Sequence, residues 1–349
     1  MASHLEIAAM RRALELAASP DAPRGPNPRV GCVLLDLAGR TVAEGHHRGV
    51  GCAHAEIEAL HQAGDAAAGA TAVVTLEPCD HTGRTGPCSQ ALIAAGVRRV
   101  VYAQADVSRP ARGGAERLRS ASVDVESGVL EAQARELNRA WTFAIEHGRP
   151  FVTWKFAASL DGRSSAADGT SRWITSEQAR ADVHRLRAEA DAILVGTGTA
   201  LADDPQLTVR HNSDLLREQQ PLRVVMGLRD LPSTLRVLDT GAETLHLRTH
   251  DVTKALAVLF ERDRQHVWLE GGPTVAGAFW RAGLIDRVVV YLAPALLGNG
   301  AAALLDAGVG TVSEAIRLDI DDVSRVGADL RIVAHPQARQ QPQRQLDRG

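Results

Sequence analysis

The sequence predicts an α/β protein built from two successive domains. Three observations carry that prediction. The chain has 349 residues, more than one average domain holds. Short β-branched stretches alternate with helix-like stretches along most of it. Glycine and proline then stand close together at Gly148 and Pro150, and a second αβ series begins beyond them. The apolar share of 45% suffices for two cores, although aromatic residues supply only 3%.

Taken in order, Ile7, Met10, Leu14 and Ala17 fall on one helical stripe and predict a packed surface helix. Glu6 and the Arg11-Arg12 pair break any apolar run there, so the segment is not a signal peptide. Residues 30–36 and 41–45 read as a hairpin around Ala38-Gly39. A helix is expected from Ala53 to the Gly64-Asp65 break, a strand over 72–76, and then a cysteine-bearing loop. Pro87 and Gly96 bracket a short helix, followed by a strand over 98–104 and one long helix over 129–146. In the second half, strands are expected at 151–156, 193–195, 223–226, 266–269 and 287–292. Thr175 with Gln178 forms a capping box for a helix to about Glu189, and another helix covers 274–282. The expected domains are residues 1–147 and 150–335, with 336–349 a disordered tail lacking apolar periodicity.

Composition excludes several classes. A net charge of -3 is unsuited to a dedicated nucleic-acid binder. No apolar run is long enough to cross a bilayer. Four cysteines in a chain lacking an export signal point to a reducing cytoplasm, where metal binding outranks disulfides.

The strongest motif is His54-Ala55-Glu56 followed by Cys79 and Cys88. One imidazole and two thiolates leave a zinc ion an open position, the ligand count of a catalytic site. Glu56 supplies the proton shuttle that a hydrolytic zinc site needs. Together they match the signature of zinc-dependent base deaminases, with a longer spacer between the cysteines. Such a site activates water against the amidine carbon of an aminopyrimidine, and Glu56 carries the proton to the departing ammonia. A structural zinc would instead need a fourth ligand, for which Cys52 or His81 are candidates. Cys32 reads as a small buried hydrophobe, and His46, His47 and His61 as ordinary histidines.

The second half is less specific by itself. Gly196-Thr197-Gly198 lacks the third glycine of a dinucleotide fingerprint. Gly271-Gly272-Pro273-Thr274 lets a backbone approach a pyrophosphate at a helix start. Arg187 and Arg210 are candidates for a phosphate grip.

These residues together resemble the bifunctional riboflavin-biosynthesis family, a pyrimidine deaminase fused to a pyrimidine reductase. Asn27-Pro28-Arg29-Val30-Gly31, His54-Ala55-Glu56 and Leu76-Glu77-Pro78-Cys79 match its first domain, and the eight-residue spacer before Cys88 is the decisive match. Gly86 departs from the usual proline. Lys155 to Arg163, Ser171 to Thr175, Asp203 to Arg210 and Glu270 to Thr274 match the second domain. The resemblance implies a cytidine-deaminase-like α/β/α domain followed by a dihydrofolate-reductase-like α/β domain. It implies one zinc per chain, NADPH as hydride donor and a phosphoribosylated aminopyrimidine as substrate. A homo-oligomer without nucleic-acid or membrane partners is expected.

Carried over by residue, Asn27, His81 and Arg84 contact the first substrate. Lys155, Ser171, Arg187, Leu207, Arg210 and Glu270 contact the second. Ala157, Trp173, Thr199 and Asp203, with Gly272, Pro273, Thr274, Val275, Ala276, Gly277 and Ala278, contact NADPH. Met226-Gly227-Leu228 stand where the family often has an Asp-Ser pair, which puts one cofactor contact in doubt. Two rival readings are a tRNA or nucleoside deaminase and a zinc-stabilised nucleotide-binding regulator without turnover. The acidic balance opposes the first.

Overall fold

The computed structural model describes residues 1–23, 25–82, 86–210 and 219–337. They form two compact units: Met1–Pro150 with Phe260–Gln265, and Phe151–Leu259 with the chain from His266 onward.

The first unit opens with α1 (His4–Ala17), started by a capping box in which Ser3 Oγ accepts from Glu6 N and Glu6 accepts from Ser3 N. The strands are β1 (Gly31–Leu35), β2 (Thr41–His46), β3 (Thr71–Leu76), β4 (Arg99–Gln104) and β5 (Asp124–Ser127). Between them run α2 (Ala55–Ala63), α3 (Cys88–Ala94) and α4 (Gly114–Ser120), and α5 (Glu131–Leu137) and α6 (Arg139–His147) follow. The sheet order is β2-β1-β3-β4-β5, antiparallel at β2-β1-β3 and parallel beyond.

The register decides where function can sit. Gly31 pairs with His46, Cys32 with Val74 and Leu76 with Gln104. The start of β1 and the ends of β2, β3 and β4 therefore share one edge of the sheet. Helices enter from that edge, where ligands of α/β proteins usually bind. Underneath, α1 buries Ala9, Met10, Ala13 and Ala17. It lies so close that a Cβ on Gly31 would be 2.0 Å from the Ala13 carbonyl oxygen.

The single helix expected over 129–146 is in fact two, broken at Asn138. That side chain is only 2% exposed. Its Oδ1 accepts from Arg29 N at 2.8 Å and its Nδ2 donates to Arg29 O at 2.9 Å. A distant strand approach is thus clamped by an amide that helix periodicity does not reveal.

The second unit contains β6 (Phe151–Ser159), α7 (Glu177–Arg187), β7 (Ala192–Gly196), α8 (Thr197–Asp203), β8 (Leu222–Met226) and β9 (Thr244–Leu247). Then come α9 (Val252–Glu261), β10 (His266–Leu269), α10 (Pro273–Arg281), β11 (Arg287–Ala293), β12 (Leu318–Val326) and β13 (Asp329–Pro336). Its sheet runs β12-β13-β11-β6-β10-β7-β8-β9, with only the β12 and β13 pairings antiparallel. The cap of α7 is Ser176, not Thr175: Ser176 Oγ accepts from Ala179 N and donates to Asp329 Oδ2 at 2.6 Å. The last strand reaches Pro336, so the tail expected from residue 336 starts inside a strand, and 338–349 lie outside the described residues. No described helix is long and apolar enough to cross a membrane.

Gly31→Ala should lower the unfolding free energy of the first unit by about 1–3 kcal/mol, the usual cost of overpacking. Urea denaturation read by circular dichroism checks this; unchanged stability would mean that α1 does not press on β1.

Candidate active sites

In the first unit, the three sulfur and nitrogen donors converge. His54 is the N-cap residue of α2, Cys79 follows β3, and Cys88 is the first residue of α3. His54 Nδ1 lies 3.2 Å from Cys88 Sγ and 3.6 Å from Cys79 Sγ. All three ligand atoms lie within 4.8 Å of one another. Zinc bonds of about 2.0–2.3 Å in tetrahedral directions would separate such ligands by roughly 3.5–3.8 Å, so this donor set fits the ion. It is the one candidate metal cluster among the described residues, and neither Cys52 nor His81 belongs to it. Cys52 is exposed. A closed structural site therefore has no fourth protein ligand among the described residues.

Glu56 sits in the first turn of α2, only 4% exposed, with its carboxyl against Cys88. Burial, reinforced by the Cys79 thiolate, raises its pKa to about 7. Cys79 is pushed toward thiolate by the hydrogen bond from Cys88, and Cys88 is pushed up by the same bond and by burial. A dication between them requires both as thiolates.

The substrate-facing residues expected around this centre are partly located. Asn27 Nδ2 meets His47 Nε2 at 2.8 Å, and His47 Nδ1 meets the Ala53 carbonyl at 2.9 Å. His47 is 3% exposed, and its ring packs edge-on against His54 at 5.4 Å. The chain thus holds the Asn27 amide in one orientation beside the metal ligands. His47, read from sequence as ordinary, belongs to the site; its position at the end of β2, on the edge where the ligands gather, was the only available signal. His81 Nδ1 is buried without a hydrogen-bond partner among the described residues. Arg84 lies outside the described residues. Glu77 ties the site down: its carboxylate accepts from Ala115 N at 3.0 Å and Asp106 N at 3.2 Å.

In the second unit, β10 pairs with β6 so that Leu269 stands opposite Trp154. Glu270 and Lys155, the next residues, are neighbours for that reason. Arg187 Nε donates to Glu270 Oε1 at 2.6 Å, its second nitrogen meets Oε2, and Trp268 Nε1 donates to Oε1. Burial opposes ionisation of Glu270, but the Arg187 guanidinium, its hydrogen bond and Lys155 overcome it and hold the pKa near about 2. Burial lowers Lys155. The partly buried cluster sets two basic side chains, Lys155 and Arg187, around one carboxylate.

Around it, Thr199 Oγ1 accepts from Gly272 N at 3.2 Å, joining α8 to the start of α10. Pro273 is the first residue of α10, with Thr274 and Val275 in its first turn. Ala276 is fully buried in the core, and a Cβ on Gly277 would be 1.9 Å from the Leu305 carbonyl oxygen. Ala278 is partly buried against the same core. Ala157 lies on β6 and Asp203 ends α8, its carbonyl accepting from Arg172. Trp173 is 70% exposed with Arg180 over its ring, and Ser171 is partly buried nearby in the chain. Leu207 is buried with φ +51°, an uncommon conformation for leucine. Arg210 donates to Gln206 Oε1. Arg187, expected to hold phosphate, has two nitrogens engaged by Glu270 and its third facing Thr208 O.

Comparison with known proteins agrees with this division. Residues 4–104 match the cytidine and deoxycytidylate deaminase zinc-binding region, and residues 150–332 match the RibD C-terminal domain. The riboflavin biosynthesis protein RibD of Mycobacterium tuberculosis is 54% identical over 306 residues, covering 87% of this chain and 90% of that protein. The structure of Acinetobacter baumannii RibD superposes with a TM-score of 0.88 at 37% identity, covering 96% of this chain and 99% of that one. A deaminase/reductase structure from Thermotoga maritima gives 0.86 at 32% identity, over 96% and 99%. The class is a zinc-dependent deaminase joined to an NADPH-dependent reductase. The chain belongs to the RibD family, the bifunctional enzymes of riboflavin biosynthesis.

Because Glu270 is depressed in the folded state, its contribution to stability is present above its ordinary value of 4.5 and is lost as pH falls toward about 2. Glu270→Gln should cost roughly 3–5 kcal/mol at neutral pH by leaving Arg187 and Lys155 without their anion. It should also flatten the decline of stability across that acid window. Denaturant titrations of both proteins over pH 2–5 check this; parallel pH curves would contradict it.

Proposed function

We propose that the first unit removes the 2-amino group of 2,5-diamino-6-(5-phosphoribosylamino)pyrimidin-4-one by hydrolysis. The product is 5-amino-6-(5-phosphoribosylamino)uracil, which the second unit reduces so that the ribosyl group becomes ribityl. The observation that carries this reading is the cluster of His54, Cys79 and Cys88 with the buried Glu56 beside it. The related Thermotoga maritima protein bears the names of both reactions.

When bound, zinc supplies Lewis acidity that lowers the pKa of water toward roughly 7, and NADPH supplies a hydride. His54, Cys79 and Cys88 would hold the ion and leave one side open. Glu56 accepts a proton from the attacking water at its carboxylate and returns it to the amine as the C–N bond breaks, so ammonia leaves and a carbonyl remains. Asn27, oriented by His47, holds the pyrimidine against that carboxylate, with His81 and Arg84 as further substrate contacts. Desolvation favours the shuttle, since a buried carboxyl poised near neutrality can both take and give a proton.

In the second unit the surplus positive charge of Lys155 and Arg187 over Glu270 suits a phosphorylated substrate. Lys155 and Glu270 would flank C1′ of the ring-opened, imine-like sugar, which accepts the hydride. Ser171, Leu207 and Arg210 complete the substrate side. Ala157, Trp173, Thr199, Asp203 and the first turn of α10 from Gly272 form the cofactor side, where glycine lets the backbone approach pyrophosphate. Four free cysteines fit a reducing cytoplasm, where the chain would act as a homo-oligomer.

Incubation with the diaminopyrimidine substrate, read by mass, should give the deaminated product without NADPH and the ribityl product with it. Glu56→Gln should slow deamination about 10²–10⁴-fold, the range of general acid–base catalysis, while zinc stays bound. Deamination within a few-fold of the parent would remove Glu56 from that role, and no ammonia release at all would overturn the first reaction.

A further inference from the structure

The two sulfur donors belong to different elements, and something must hold those elements at metal-binding separation. Two of the bonds joining them have backbone donors: Ser89 N donates to Cys79 O at 3.1 Å, and Cys88 N donates to the Cys79 sulfur at 3.5 Å. The third depends on side-chain identity. Asp80 directly follows Cys79 and Ser89 directly follows Cys88. Ser89 Oγ donates to Asp80 Oδ1 at 2.6 Å.

Ser89 is completely buried, so its hydroxyl has no water to turn to if that acceptor is lost. A hydroxyl donating to a carboxylate is also short and charge-assisted, stronger than a neutral pair. Arg117 of α4 donates to the same Asp80 oxygen. Its approach is built in: Gly114 at the start of α4 lies so close that a Cβ there would be 1.7 Å from the Pro78 carbonyl oxygen. Asp80 N completes the fixing through Ala111 O at 3.0 Å. A bare carboxylate beside two thiolates would add repulsion; the Arg117 guanidinium offsets it.

We propose that Asp80, bonded to Ser89 and neutralised by Arg117, is a positioning residue that sets the Cys79–Cys88 geometry and thereby the zinc affinity of the deaminase site. The inference rests on the zinc reading above and deepens it. The side-chain bonds of the network run between Asp80, Ser89 and Arg117, none of which is a metal ligand. It acts by reducing the freedom that binding must remove, as outer-shell partners of metal ligands do.

The test uses the full chain and zinc alone, in competition with a chromogenic chelator at fixed pH, with the thermal midpoint of each zinc-free protein measured alongside. Asp80→Ala and Ser89→Ala should each weaken zinc binding by about tenfold, the lower end of outer-shell effects. The double variant should be no worse than Asp80→Ala alone, because the Ser89 bond is already lost with Asp80. Asp80→Asn, which keeps an acceptor oxygen, should recover most of the affinity. The idea is overturned if affinities of the single variants stay within twofold of the parent while only the midpoint falls, or if the two losses add. Should Asp80→Ala fail to fold, Ser89→Ala decides by the same criterion. A parent chain that binds no zinc overturns the metal reading itself, a result distinct from a parent that binds zinc and variants that match it.

Discussion

Strand register is the constraint on which the first unit depends. Because β1 runs antiparallel to both β2 and β3, and β3 parallel to β4, one beginning and three ends of strands meet at a single edge. Every donor of the metal cluster is attached to that edge by a short link: His54 through the turn after β2, Cys79 through the exit of β3, and Cys88 through the start of α3. A one-residue slip would turn each strand's side chains to the opposite face. The core beneath makes that slip costly, since Val33 and Val73 pack with α1 on one face while Leu34 and Val74 pack on the other.

The two units solve different electrostatic problems with the same kind of edge. In the first, soft donors gather where a dication can balance them, and a carboxyl is kept near neutrality by burial. In the second, parallel pairing of β6 with β10 sets Lys155 beside Glu270, and α7 delivers Arg187 to the same carboxylate. The resulting partly buried cluster has two basic side chains around one carboxylate, where an isolated salt bridge has one.

Much of the first site was legible because its signal is local. Histidine and glutamate two residues apart, and cysteines with a fixed spacer, are read directly from the chain. The clamp at Asn138 was not, because its partner Arg29 is remote in sequence and the helix pattern continues across it. The hairpin of β12 and β13 was also missed: Asp319, Asp321 and Asp322 interrupt any apolar alternation on a strand that is mostly exposed. Short α4 and β5 gave too few residues for a period. In the second site the cationic residues were visible singly, but the pairing of Arg187 with Glu270 depends on tertiary structure alone.

X-ray absorption at the zinc edge of the purified full chain reaches the central claim most directly. Two sulfurs at about 2.3 Å, one imidazole nitrogen at about 2.0 Å and one light non-protein ligand are expected. A shell of four protein ligands, or one without sulfur, would contradict the account.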